Sequence, residues 1–154
     1  MDPYRPLDDE ARATALRCLA APSAALGTLR DGGPMVTRVA CLWRPGGGLT
    51  LLASALSDHA RALMADPACS VLLGEPGARG DPLTHPRLTV TGRAEPVEKA
   101  ALRDAWLAAR PKARLYFDFT DFALWALRPH GALLNAGFGR AHRLGPDDLA
   151  GLGG

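Results

Sequence analysis

Apolar and polar positions alternate along most of this chain in short runs, and the period lengthens to that of a helix in only a few places. Ala24 to Arg30 reads as a strand, Asp31-Gly32-Gly33-Pro34 as a turn and Met35 to Trp43 as a second strand. Arg44-Pro45-Gly46-Gly47-Gly48 turns the chain into a third strand, Leu49 to Ala53. Cys69 to Gly74 gives a fourth. The fifth, Arg87 to Val97, sets Leu88 and Val90 against Thr89 and Thr91. Asp121 to Leu127 and Ala132 to Asn135 read as a further pair, a hairpin broken at Pro129-His130-Gly131.

Helical spacing appears in three segments. Asp8-Asp9-Glu10 places acid at the start of a helix that runs to about Leu19 and stops before Pro22. A short helix follows the third strand, over residues 57–66. Glu98 to Ala109 is a longer one, with Ala101, Leu102, Ala105, Trp106 and Ala109 on one face, and Pro111 ends it. Five or six antiparallel strands with helices inserted at fixed points predict a mainly β (α+β) fold, an antiparallel split barrel with flanking helices. The 154 residues make one domain: an N-terminal helical part (1–22), the first barrel strands (23–97), a helix and C-terminal strands (98–144), and a tail (145–154).

Composition narrows the function. The chain is 47% hydrophobic and 22% charged, with a net charge of +2 and no basic stripe, which points away from a nucleic-acid partner. Only Lys99 and Lys112 are lysines, so the cationic surface is arginine. Cys18, Cys41 and Cys69 form no CxxC pair and read as core thiols of a reducing compartment. The polar, acidic start, Met1 to Glu10, has no signal-peptide pattern, and no segment has transmembrane length. The expectation is a cytoplasmic protein without a membrane partner.

The chemistry concentrates where the third strand breaks. Ala53-Ser54-Ala55-Leu56-Ser57-Asp58-His59 runs from a buried strand through a hydroxyl-rich bend into a helix start. Free backbone N–H groups and a partial positive charge there suit an anion such as phosphate, with His59 and Arg61 adding charge. The plainer alternative is that Ser54 and Ser57 only cap the helix. Arg87 is either a ligand contact or a solvated strand end. Gly137-Phe138-Gly139 lacks the third glycine of a dinucleotide fingerprint and reads as a bend with Phe138 plugging the core. His59, His85, His130 and His142 have no metal-site spacing, so no resident metal is expected. Asp118 and Asp121 either orient a ligand or cap. No Ser-His-Asp set or carboxylate pair favours hydrolysis.

In this order the motifs resemble the FMN-binding split-barrel superfamily typified by pyridoxamine 5'-phosphate oxidase, and within it the haem-utilisation branch. The resemblance rests on Gly33-Pro34-Met35-Val36-Thr37-Arg38-Val39, on Ala53-Ser54 with Ser57-Asp58-His59 and Asp66-Pro67, on Arg87-Leu88-Thr89-Val90-Thr91-Gly92-Arg93-Ala94, and on Phe117-Asp118-Phe119 with Ala136-Gly137-Phe138-Gly139-Arg140-Ala141. It spans roughly residues 10 to 144.

The resemblance implies a homodimer with FMN at the subunit interface, a small-molecule substrate and oxidoreductase chemistry carried by the flavin. Haem, bound or degraded with His142 as a single axial ligand, is the alternative, and a barrel whose cofactor site has decayed is a third. Backbone groups of Arg38, Val39 and Ala40 would line the ring edge, beside Ala53 and Ser54. Thr37, Ser57 and His59 would meet phosphate or ribityl oxygens, and Arg87 the pyrimidine or phosphate. Arg140 and His142 would approach the cofactor of the partner. The face carrying Trp106 offers surface for that contact. The oxidase proper has basic residues where this chain has Thr37, Asp58 and His59, and an aspartate there repels phosphate. The oxidase's C-terminal substrate segment has no counterpart, so vitamin B6 oxidation is not implied.

Overall fold

The computed structural model describes residues 1–154. Helix α1 (Asp9–Leu19) begins where the Asp8 carboxylate accepts the Ala11 N–H at 2.8 Å, satisfying one of the free donors of the first turn. Strands β1 (Ser23–Arg30) and β2 (Gly33–Arg44) form a hairpin around Asp31 and Gly32. Both of those residues have positive φ (51° and 79°), the geometry whose twist matches paired strands. Then follow β3 (Gly48–Ser54), helix α2 (Asp58–Ala65), β4 (Ala68–Leu73), β5 (Arg87–Val97), helix α3 (Lys99–Ala109), β6 (Phe122–Asn135), β7 (Ala141–Leu144) and the short helix α4 (Pro146–Ala150).

The sheet order is β3-β2-β1-β4-β5-β6-β7, and β3 also pairs with β6, so six antiparallel strands close into a barrel with β7 outside the ring. The edges left unpaired are Gly33 to Val39 of β2 on the side away from β1, the outer side of β7 and the stretch where β6 changes partner. Residues Phe122 to Leu127 pair with β3, and Ala132 to Asn135 pair with β7.

The expected hairpin at Pro129-His130-Gly131 is therefore corrected: β6 is one continuous strand. Thr91 pairs with Gly131 and Gly92 with Pro129, so His130 is the extra residue of a bulge. A bulge tolerates a proline, which has no N–H to give the ladder. Gly92 is required opposite it, because a Cβ there would collide with the Arg128 carbonyl. Turn-like residues thus mark a bend within a strand.

Two apolar clusters hold the fold. Inside the barrel, Leu26, Leu51, Val71, Leu73, Leu88, Val90, Leu127 and Leu134 meet Ala15 and Leu19 of α1 and Leu63 of α2. On the outside of β2, β3 and β6, Leu42, Leu52 and Leu124 are covered by Trp106, Leu107, Ala113 and Phe117. Trp106 is 1% exposed and donates its indole N–H to Thr50 Oγ1 at 2.9 Å. Trp106, expected to offer surface to a second subunit, is instead buried with Leu107 against its own barrel, while Ala101 and Ala109 of that helix are exposed. No helix is long and apolar enough to cross a membrane.

Candidate functional site

The bend after β3 is held by its own side chains. Ser54 Oγ donates to Asp121 Oδ2 at 2.5 Å and accepts the Leu56 N–H. Ser57 Oγ donates to the Ser54 carbonyl and accepts the Ala60 N–H as the N-cap of α2. The capping reading is what the structure contains for Ser57, whereas Ser54 closes the bend ahead of the helix and is held by Asp121, which caps no helix. Ala53 and Val39 are buried in the barrel, so only their backbone faces outward chemistry.

Next to the bend, Thr37 Oγ1 and His59 Nδ1 lie 2.9 Å apart, bringing β2 and the first turn of α2 together across 22 residues of sequence. Burial pushes the His59 pKa below the ordinary histidine value, more than the Asp58 carboxylate raises it, so the ring is a neutral donor or acceptor near pH 7. Asp58 is paired with Arg30 at 2.5 Å. This pair was invisible in the sequence pattern, and it offsets the repulsion an aspartate would exert on a bound anion.

For a phosphate, this corner offers the N–H groups at the start of α2, Thr37 and His59, with Arg61 exposed nearby in sequence. Its serine hydroxyls are already engaged and its one ion-paired arginine is shared with Asp58. The fit to a phosphate is partial.

The remaining sequence-predicted residues lie elsewhere. Arg87 Nη1 donates to the carbonyls of Leu83 and His85 at 2.8 and 3.2 Å, anchoring the loop before β5. Strands β1 and β4 separate β2 from β5, and the register of Arg38 runs through Ala25 and Leu72 to Thr89, two residues from Arg87. Arg140 donates to Glu10 and to the Ala136 carbonyl. His142 is 4% exposed with Nδ1 on the Pro6 carbonyl at 3.1 Å, and so presents no open ring to an iron. Within one chain, Arg87, Arg140 and His142 are not brought to the Thr37–His59 corner. Phe138 is also corrected: it is 91% exposed and plugs nothing. Asp118 is engaged by the Arg103 guanidinium through two hydrogen bonds, 2.9 and 2.7 Å.

Between these two groups of residues lies a sheet surface that sequence reading did not isolate. The register places Arg38 and Val36 beside Ala25 and Gly27 on the outside of the barrel, then Leu72 and Ser70, Thr89 and Thr91, and finally Leu133 and Gly131. No helix covers it. Val36 and Leu72 are 71% and 44% exposed. Small and apolar residues make the middle flat. Arg38 at one side and Arg93 at the other carry neither an ion pair nor a hydrogen bond to another residue. Only the paired register reveals this surface, because period-2 alternation does not say which faces a helix will cover.

Comparison with known proteins adds to this geometry. A chloroplastic heme oxygenase, HOZ, of Arabidopsis thaliana is 35% identical over 103 residues, 64% of this chain and 30% of that protein. The chain thus spans less than a third of that relative. A heme binding protein from Mycobacterium smegmatis is 34% identical in its solved structure, with a TM-score of 0.80 over 95% of this chain and 61% of that one. HutZ of Vibrio cholerae, a heme storage protein, superposes with a TM-score of 0.69 over 88% of this chain and all (100%) of that one, at 20% identity, a likeness of fold. The family model described as pyridoxamine 5'-phosphate oxidase matches residues 7–134, from the start of α1 almost to the end of β6. With the closed six-stranded barrel and its flanking helices, that match makes the chain a member of the pyridoxamine 5'-phosphate oxidase family, with haem-binding proteins among its relatives.

Proposed function

We propose that this protein binds haem, for storage, transfer or degradation, with two copies of the chain meeting across the uncovered face of β2, β1, β4 and β5. The observation that carries the reading is that face itself: flat, lined by Ala25, Gly27, Ser70 and Leu72, and flanked by the unpaired Arg38 and Arg93. Haem is a planar apolar ring with two carboxylates. A small-residue sheet surface admits such a ring closely, and guanidinium groups match its propionates. Pairing of two copies would also bring the Arg87 and Arg140 side of one chain toward the Thr37–His59 corner of the other, supplying what one chain lacks. Relatives above 30% identity that bear haem names support the same choice.

FMN is the second reading, favoured by the Thr37–His59 pair at the start of α2. There the backbone N–H groups, Thr37 and His59 would receive the phosphate, and the flavin would supply redox chemistry toward a small-molecule substrate. Two titrations of the same purified protein separate the readings. Haem added to the protein should give a saturable Soret band, while FMN at equal concentration leaves its fluorescence unquenched. Saturable FMN quenching with no Soret band would reverse the order, and neither signal would indicate a decayed site.

A further inference from the structure

At the other end of β2 from the Thr37 corner, seven residues along at Arg44 and so roughly 23 Å away, the barrel wall opens. Here β6 has left β3 at Leu127 and has not yet joined β7 at Ala132, so Arg128 to Gly131 have no strand partner on that side. The opening is a cavity of about 210 Å³, walled by Trp43, Leu49, Leu127, Pro129 and Leu149. Arg44 and Arg128 stand among its lining residues. Arg128 is paired with Glu95 through Nε at 2.6 Å. Arg44 has no acidic partner: its half-buried guanidinium lies over the turn, 3.0 Å from where a Cβ on Gly47 would sit. A guanidinium beside an apolar cavity and without an anionic partner is free to pair with a carboxylate that enters it.

We propose that this gap is a second binding site, separate from the cofactor face, for a small amphiphilic carboxylate: an unbranched acid whose tail enters the cavity and whose carboxylate pairs with Arg44. The volume limits the occupant to a small one: the cavity, at about 210 Å³, is below the range of drug-sized sites, and octanoate is a short unbranched probe of that kind. The apolar walls favour a saturated chain, and the arginine chooses a carboxylate over an alcohol. Gly47 leaves room for the Arg44 guanidinium, which a Cβ there would approach to 3.0 Å.

The test uses octanoate as the probe with the full chain. Isothermal titration should show one site per chain, with 1-octanol binding at least about tenfold more weakly. Arg44→Gln should weaken octanoate about tenfold while leaving 1-octanol unchanged. Ala150→Phe, at an exposed position on the rim, should block both ligands, and thermal melting checks that it folds. Amide shifts on octanoate addition should centre on Gly46, Gly47 and Gly48. Absence of saturable octanoate binding, equal binding of octanoate and 1-octanol, or unaltered octanoate binding in Arg44→Gln would each overturn the proposal. The cofactor reading fails or stands separately, because octanoate binding requires neither haem nor FMN.

Discussion

The two outer faces of the barrel are built from the same kind of strand and have opposite fates. On β2, β3 and β6, Leu42, Leu52 and Leu124 sit under Trp106 and Phe117, and the face is closed by α3 and the 3-10 turn Pro111–Leu115. On β2, β1, β4 and β5, the corresponding positions are Val36, Ala25, Gly27, Ser70 and Leu72, and nothing covers them. The covered face has large residues that need a packed partner and two buried polar contacts, Trp106 to Thr50 and Thr50 to the Leu42 carbonyl. The open face has small residues and arginines, which suit an occupant from outside. One face stabilises the barrel; the other is available for binding. Strand β2 serves both, its outward residues passing from Arg38 at the open side to Leu42 under the helix.

Truncating the covered face should cost most. Trp106→Ala removes a buried ring and leaves Thr50 without its donor, so a loss of about 3–5 kcal/mol in denaturant unfolding is expected. Lys99 comes next. Its ammonium donates to the carbonyls of Phe117, Phe119 and Phe122 at 2.7, 3.0 and 2.8 Å and lies 5.5 Å from the Phe117 ring centroid. Lys99→Met should cost about 2 kcal/mol by the same measurement, because charge-assisted bonds are lost together. On the open face, Leu72→Glu should alter unfolding by no more than about 0.5 kcal/mol yet weaken self-association about tenfold or more in sedimentation. If it destabilised the monomer as strongly as Trp106→Ala, the contrast between the faces would be lost.

The smallest effect belongs to His59. Its folded pKa lies below the ordinary value of 6.5, so below that pH the unfolded chain holds a proton that the folded chain does not. Stability attributable to this group is therefore unchanged above about pH 7 and declines as pH falls through 6.5 and the folded value. His59→Gln should make the melting temperature less dependent on pH between 7 and 5. An unchanged slope would mean that the histidine is not held as its contact with Thr37 indicates.

Much of this was legible in residue order, for identifiable reasons. Strand alternation and the Asp31-Gly32 and Gly46-Gly47-Gly48 turns give β1 to β3 nearly to the residue, since local geometry alone dictates them. Pro129-His130-Gly131 misled because a bulge and a turn use the same residues, and only pairing with Gly92 distinguishes them. The amphipathic face of α3 was visible, but what it packs against depends on tertiary contact. Thr37 and His59 were expected at one site and do meet. The Arg30–Asp58 pair and the Ser54–Asp121 bond join residues 28 and 67 positions apart (58−30 and 121−54), with no periodic signal linking them. Burial of His142 against Pro6 is equally non-local.

The central claim is that the uncovered face is where two copies and a planar anionic cofactor meet. Haem titration of the unmodified protein beside Leu72→Glu, followed at the Soret band, tests it most directly. The account predicts saturable binding by the unmodified chain and at least about tenfold weaker binding by the variant, with both chains equally folded. Equal haem affinity in the two proteins would contradict it.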